Sequence, residues 1–227
     1  MKSPKPESLF ARLFLLTLGV IALAGCEALP MRELITGPSY QPHNVHRSEP
    51  YLPIRVRRVA VLPLTADEQQ ADTDAGQTAL QPVLRDELGR TGKFELVFIT
   101  REQLRQWTGQ PNWSASDKLP PDFFKTLRAE FGCDAVLFCQ LTRYQAYPPL
   151  AVGWHLKLVD AQKPHTLWAV DEIFDAGDPK VVAGARRFQQ HQPSASPVLA
   201  DSRSILSSPR QFGHYTASAV LATLPER

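Results

Sequence analysis

The stretch Ile54-Arg55-Val56-Arg57-Arg58-Val59-Ala60-Val61-Leu62-Pro63 constrains this chain more than any other. It enters by alternating charged and apolar residues, becomes a continuous apolar run rich in β-branched side chains, and stops at a proline. Such a run reads as a central strand buried on both faces, and a sheet buried on both faces needs helices on both sides. The same reading gives strands over 94–99 and 135–144. Between them lie helical patterns, so the first half of the chain predicts a parallel β-α-β-α-β unit.

The helices carry their own signals. Leu80, Val83, Leu84 and Leu88 recur at helical spacing and close at Gly89 and Gly92, while Pro82 predicts a late start or a kink. Thr100 with Gln103 three residues on forms a capping box for a short helix bearing Leu104 and Trp107. Pro120 and Pro121 open a helix with Phe123, Phe124, Leu127 and Phe131 on one face, stopped by Gly132. Val152, Trp154, Leu156 and Leu158 alternate with Gly153, His155, Lys157 and Val159 as a half-exposed fourth strand. A polar turn over 160–164 joins it to a fifth strand over 166–174.

Asp178 and Pro179 then introduce a helix through Val181, Val182, Ala185 and Phe188. The Ser-, Pro- and Ala-rich segment 190–208 reads as a mobile loop, and Ser208-Pro209 caps a terminal helix with Phe212, Tyr215, Ala219, Val220 and Thr223. The expected architecture is one three-layer α/β domain over 54–227. It has a central mixed sheet of about five strands, β-α-β-α-β followed by an antiparallel meander, with flanking helices. The composition, 43% hydrophobic and 21% charged, excludes disorder throughout.

The amino terminus reads as an address. Lys2, Lys5 and Arg12 precede the uncharged run 13–24, and Leu23-Ala24-Gly25-Cys26 follows the pattern of the bacterial lipobox. Twelve apolar residues rise only about 18 Å as a helix, short of the ~30 Å hydrocarbon core, so the run is read as a signal peptide over 1–25 rather than a permanent span. Cys26 is the expected lipidation site, carrying diacylglycerol and an N-acyl chain sufficient for stable anchoring. Glu27, where similar lipoproteins destined for the inner membrane carry Asp, leans toward the periplasmic face of the outer membrane.

Removing 1–25 would take three basic residues and one acidic residue from totals of 25 and 23, leaving 22 of each sign. A formally neutral chain has no electrostatic footprint for nucleic acid and no polybasic run for an anionic membrane. Residues 26–53, with Pro30, Pro38, Pro42, Pro50 and Pro53 and no apolar period, read as a tether with a reach of about 30 Å or more. His43 and His46 within it are read as solvated side chains rather than a metal pair.

No phosphate-binding glycine loop, zinc-protease motif or nucleophile elbow occurs in the sequence. The one acidic concentration is Asp171, Glu172, Asp175 and Asp178. A hard cation wants six to eight oxygens, and neighbours on a strand point to opposite faces, so helix capping by Asp178 is the plainer reading and no metal site is expected. His155 is either a surface-sheet histidine or a catalytic base. Cys133 and Cys139 would lie about 20 Å apart along a strand, too far for a disulfide, and read as buried thiols. Arg55, Arg57 and Arg58 either guard a strand edge or meet an acidic partner; Trp154 and Trp168 are either a packed cross-strand pair or, if exposed, partner-binding anchors.

The segments Arg57-Arg58-Val59-Ala60-Val61-Leu62-Pro63-Leu64, Leu84-Arg85-Asp86-Glu87-Leu88 through Val97, Phe131-Gly132-Cys133-Asp134-Ala135-Val136-Leu137 and Leu156-Lys157-Leu158-Val159-Asp160 resemble periplasmic lipoproteins of the curli-secretion-channel type. The same α/β core is shared with the amino-terminal domain of the Tol-system β-propeller protein and with lipoprotein activators of penicillin-binding proteins. The resemblance covers 54–175. Channel-forming relatives insert membrane hairpins between the third and fourth strands, where this chain has only Gln145-Ala146-Tyr147-Pro148-Pro149, so no pore is expected. What the resemblance implies is a non-catalytic, lipid-anchored periplasmic module that binds or assembles with an envelope or secretion-system protein. The alternatives are a metal-dependent envelope hydrolase using Asp171, Glu172, Asp175 and Asp178, and a homo-oligomeric scaffold pairing through strand edges.

Overall fold

Val59, Ala60 and Val61 lie on an interior strand of a mixed sheet, flanked by parallel neighbours on both sides and shielded from solvent on both faces. The computed structural model describes residues 40–66, 73–191 and 205–227, all of which fall in one unit, Pro38–Arg227. The signal peptide, Cys26 and most of the expected mobile loop lie outside the described residues.

The elements in chain order are β1 (Val45–Arg47), β2 (Arg58–Val61), β3 (Thr65–Ala66), α1 (Thr73–Thr91), β4 (Glu95–Phe98), α2 (Arg101–Thr108), α3 (Phe123–Phe131), β5 (Ala135–Gln145), β6 (Ala151–Asp160), β7 (Thr166–Asp175), α4 (Pro179–His191) and α5 (Pro209–Leu221), with a 3₁₀ turn at Ile205–Ser207. The strand order is β1-β7-β6-β5-β2-β4, with the short β3 added to β5. Strands β2, β4 and β5 run parallel; β5, β6, β7 and β1 form an antiparallel meander. The expected α/β class and strand succession therefore hold, with seven strands rather than five.

Two cores make the three layers. On one face α1, α4 and α5 bury Leu80, Leu84, Leu88, Val181, Ala185, Phe212 and Val220 against Trp154, Leu156, Trp168 and Phe174. On the other, α2 and α3 bury Leu104, Phe123 and Leu127 against Ala60, Leu62, Val136 and Phe138. This second layer is incomplete. Among the described residues no helix covers the outer face of β6 and β7, where His155, Lys157, Asp171 and Ile173 stand.

The structure departs from the sequence reading in five places. The tether expected to run to residue 53 is already folded from Tyr40. Val45, His46 and Arg47 pair with Val170, Ala169 and Trp168, because the outer edge of β7 offers unpaired backbone groups. The first strand begins at Arg58 rather than Ile54, since the Val56 N–H turns back to Pro53 O at 2.9 Å. Helix α1 continues through Pro82, its apolar face held by the core on both sides of the break; that burial outweighs the roughly 3 kcal/mol an interior proline costs. Strand β6 is half-exposed only at His155 and Lys157, while Gly153 and Val159 on the same face are buried. Residues 205–207 of the expected loop form a 3₁₀ turn with Ile205 in the core, and Ser208 caps α5.

Strand β5 carries a bulge. Register passes from Leu141 opposite Trp154 to Arg143 opposite Gly153, leaving Thr142 extra. The extra residue switches the face on which the remainder of β5 points and brings Tyr144 onto α1, close against Gly76.

Candidate functional site

The end of the sheet at which β2, β4 and β5 begin gathers the basic residues singled out in the sequence. Arg55 pairs with Oδ2 of Asp160, a carboxylate with no exposed surface. Asp160 Oδ1 also accepts the N–H groups of Gln162 at 2.7 Å and Lys163 at 3.0 Å, closing the β6–β7 turn. Burial pushes this carboxyl up, but the Arg55 bond and the two backbone N–H bonds outweigh it and hold its pKa below the ordinary aspartate value. The same bond raises that of Arg55. Arg55 is thus a structural residue of the turn.

Arg57 differs. Its N–H and that of Arg58 donate to Asp134 Oδ2 at 3.0 and 2.9 Å, while its side chain stays exposed and has no carboxylate partner among the described residues. The Asp134 carbonyl accepts the Ala161 N–H at 2.9 Å, so loop 53–57, the start of β5 and the β6–β7 turn form one continuous surface. Lys125, Arg128, Gly132, Asp134 and Gln162 line a shallow recess of about 410 Å³ within it.

Trp154 and Trp168 are not surface anchors. Both are fully buried, and their indole N–H groups donate to Thr216 Oγ1 at 2.9 Å and Thr223 Oγ1 at 3.0 Å on the α5 side. Nor are they directly paired: Trp168 stands opposite Leu158, and Trp154 opposite Glu172. Burial of a large aromatic body with its polar atom satisfied is the ordinary reason for a core tryptophan.

The acidic residues disperse into separate structural tasks. Glu172 accepts the Tyr40 hydroxyl and the N–H groups of His43 at 2.6 Å and Asn44 at 3.1 Å. Asp171 lies 3.4 Å from His155 Nδ1 on the opposite face. Asp175 accepts the Gly177 N–H, and Asp178 caps α4 through the Lys180 N–H at 2.8 Å, as expected from the sequence. Among the described residues no three His, Cys, Asp or Glu side chains converge to hold a metal ion. Cys133 and Cys139 are free and buried; burial pushes the Cys133 thiol up to about 11 and that of Cys139 higher still.

Sequence reasoning missed Ile54 as a surface residue, and it missed Lys125, Arg128 and Lys163 as companions of Arg57. Ile54 was drawn into the strand by its alternation with Arg55 and Val56; Pro53 was the available sign of a turn.

No protein-family description matches the chain, and no characterised protein matches it. Solved structures with a similar arrangement include lipoprotein GNA1162 from Neisseria meningitidis, at 18% identity over 52% of this chain and 79% of that one, TM-score 0.36. They also include the PelC dodecamer from Paraburkholderia phytofirmans, at 11% identity over 77% and 96%, TM-score 0.39. A third is the LpoB carboxy-terminal domain from Escherichia coli, at 19% identity over 52% and 82%, TM-score 0.35. At these values the similarities carry no functional argument.

Proposed function

We propose that this protein is a lipid-anchored lipoprotein of the bacterial envelope, held at the periplasmic face of the outer membrane through Cys26, that binds or assembles with another envelope protein and performs no catalysis. The observation that carries the reading is Leu23-Ala24-Gly25-Cys26 directly after an uncharged run with basic residues before it. Two features of the fold support the binding role. The carboxylates that a metal-dependent hydrolase would use are committed one by one to backbone N–H groups and side chains of the fold itself. The basic side chains without a carboxylate partner among the described residues, Arg57, Lys125, Arg128 and Lys163, lie on the surface rather than in an enclosed cleft.

Intact-mass measurement of the protein extracted from native membranes tests it. The expected species begins at Cys26 and carries acyl chains, and Cys26→Ser releases the protein to the soluble periplasmic fraction. Retention of Met1 or an unmodified Cys26 thiol would overturn the anchor.

A further inference from the structure

Loop 50–56 is a rigid platform. The Leu52 N–H donates to Glu226 O at 2.7 Å, the Glu226 N–H returns to Pro50 O at 3.0 Å, and Arg227 Nη2 donates to Val56 O at 2.8 Å. Leu52 and Val56 are buried on either side of the turn, and between them Ile54 projects with 84% of its surface exposed beside Tyr51 at 62%. Hydrogen bonds and core contacts hold the loop in place while Tyr51 and Ile54 face outward, so the surface is ordered before anything binds it.

The charge around Ile54 is one-sided. Arg55, Arg58 and Lys93 have carboxylate partners in Asp160, Glu95 and Glu226. Arg57, Lys125, Arg128 and Lys163 are exposed and have none among the described residues. Lys125 and Arg128 stand one turn apart on α3 and share the recess that reaches Gln162, the neighbour of Lys163. Glu130, the acidic residue of α3, is exposed and has no basic partner among the described residues.

We propose that this end of the domain docks an acidic segment of an envelope protein, which sets an apolar side chain against Ile54 and Tyr51 and carboxylates against Arg57, Lys163, Lys125 and Arg128. The inference rests on the envelope-lipoprotein reading above and names the chemistry of its partner. Charge complementarity selects an acidic occupant, and the entry point of the chain selects a protein over the anchoring lipid surface. Tyr40 is fixed at the far end of β7 by the Tyr40 N–H to Lys180 O bond and by Glu172. β7 is ten residues long, so about 33 Å separates that entry from the Ile54 end.

A photoreactive phenylalanine at position 54 of the full chain, in living cells, tests the proposal, with the same label at Tyr147 as the control at the opposite end. The expected product is a discrete protein adduct at 54 and not at 147. Its captured peptide carries several carboxylates around an apolar residue. Its yield falls at least tenfold in Arg57→Glu/Lys163→Glu and is kept in Arg57→Lys/Lys163→Arg. No adduct above the control, an adduct indifferent to charge reversal, a lipid adduct, or an adduct with a second copy of this chain would each overturn it. Measuring Cys26 acylation in the same sample separates the two readings: an unmodified Cys26 with a charge-dependent acidic adduct removes the anchor and leaves the docking surface.

Discussion

His214 Nδ1 on α5 lies 2.7 Å from Glu87 Oε1 on α1, and Arg90 reaches the same oxygen from the next turn of α1. A carboxylate offers only acceptors, so Nδ1 carries the proton. Glu87 is 4% exposed and sits among Leu80, Val83, Leu84 and Leu88 at the α1–α5 contact. Removing one member of such a buried set leaves the other without a partner.

Glu87→Ala is therefore expected to cost about 2–3 kcal/mol, and Glu87→Gln, which keeps an acceptor for His214, less than half of that. Urea unfolding with an unchanged slope and a lowered midpoint checks the order. Equal losses for the two variants would mean that the oxygen facing His214 contributes nothing.

Gly153 has no room for a side chain. A Cβ there would stand 2.5 Å from Thr142 Oγ1 and 2.9 Å from the Arg143 backbone nitrogen, both set by the β5 bulge. The backbone cannot give way without breaking the bulge, so Gly153→Ala is expected to destabilise by about 1–3 kcal/mol although alanine is otherwise harmless in a strand. Thermal melts of the variant and of Gly153→Ala with Thr142→Ala separate side-chain crowding, which the second change relieves in part, from backbone strain, which it does not.

Asp160 supplies an acid-dependent part of stability. Its pKa is lowered on folding, so its contribution is complete above the ordinary aspartate value of 3.8 and is lost as pH falls through the lower folded value. Asp160→Ala is expected to cost roughly 2 kcal/mol at neutral pH, Arg55 being half-exposed and screened. The gap between wild type and variant narrows below about pH 4, where the unfolded carboxyl binds its proton. Chemical denaturation from pH 7 to pH 2 measures it; a gap that stays constant would assign the loss to packing.

Local signals in the sequence survived folding, and long-range ones did not show. The Thr100–Gln103 capping box forms with both bonds in place, Ser208 caps α5, and Gly132 ends α3 with positive φ, because each involves residues within one or two turns. β1 was illegible because Val45-His46-Arg47 has no pattern of its own; its pairing partner lies more than a hundred residues away on β7. The tryptophans were ambiguous because alternation assigns a side chain to a face without saying what covers that face, and here α5 does. Glu87 was visible in principle: it falls on the apolar stripe of α1, where a charged residue signals a buried partner. For the surface around Ile54, the basic residues were legible as a group, but which of them were already paired depended on Asp160, Glu95 and Glu226, each remote in sequence.

The two cysteines provide a probe of folding that leaves the surface untouched. Both thiols are buried, and Cys133 is pushed up to about 11, so the reactive thiolate is scarce at neutral pH even where solvent reaches it. With Cys26→Ser, neither is expected to react with a maleimide in the native protein over minutes, and both react promptly in 6–8 M urea, about the concentration that unfolds ordinary domains. Fast native labelling at Cys133 would show that the start of β5 opens locally.

The contact between Tyr40 and Glu172 holds the start of the described chain against β7. Glu172 holds the Tyr40 hydroxyl together with two successive backbone N–H groups, His43 and Asn44, and these bonds carry β1 onto the edge of β7. Burial, then the hydrogen bond and charge of Glu172, raise the Tyr40 pKa above its ordinary value of 10.0. A raised folded value means that the hydroxyl's contribution is complete below pH 10 and is lost as pH rises through the folded value. Glu172→Ala removes three acceptor interactions at once and should free residues 40–47, so limited trypsin digestion is expected to cut after Arg47 at least tenfold faster than in wild type. Tyr40→Phe keeps both backbone bonds and should give a smaller increase. Amide hydrogen exchange at His46 and Ser48, whose N–H groups face β7, reads the same release without a protease: protection falls in Glu172→Ala while the core strands β2 and β5 keep theirs. If cleavage after Arg47 is already fast in wild type, β1 is not held by this contact and the chain leaves the domain nearer Tyr51.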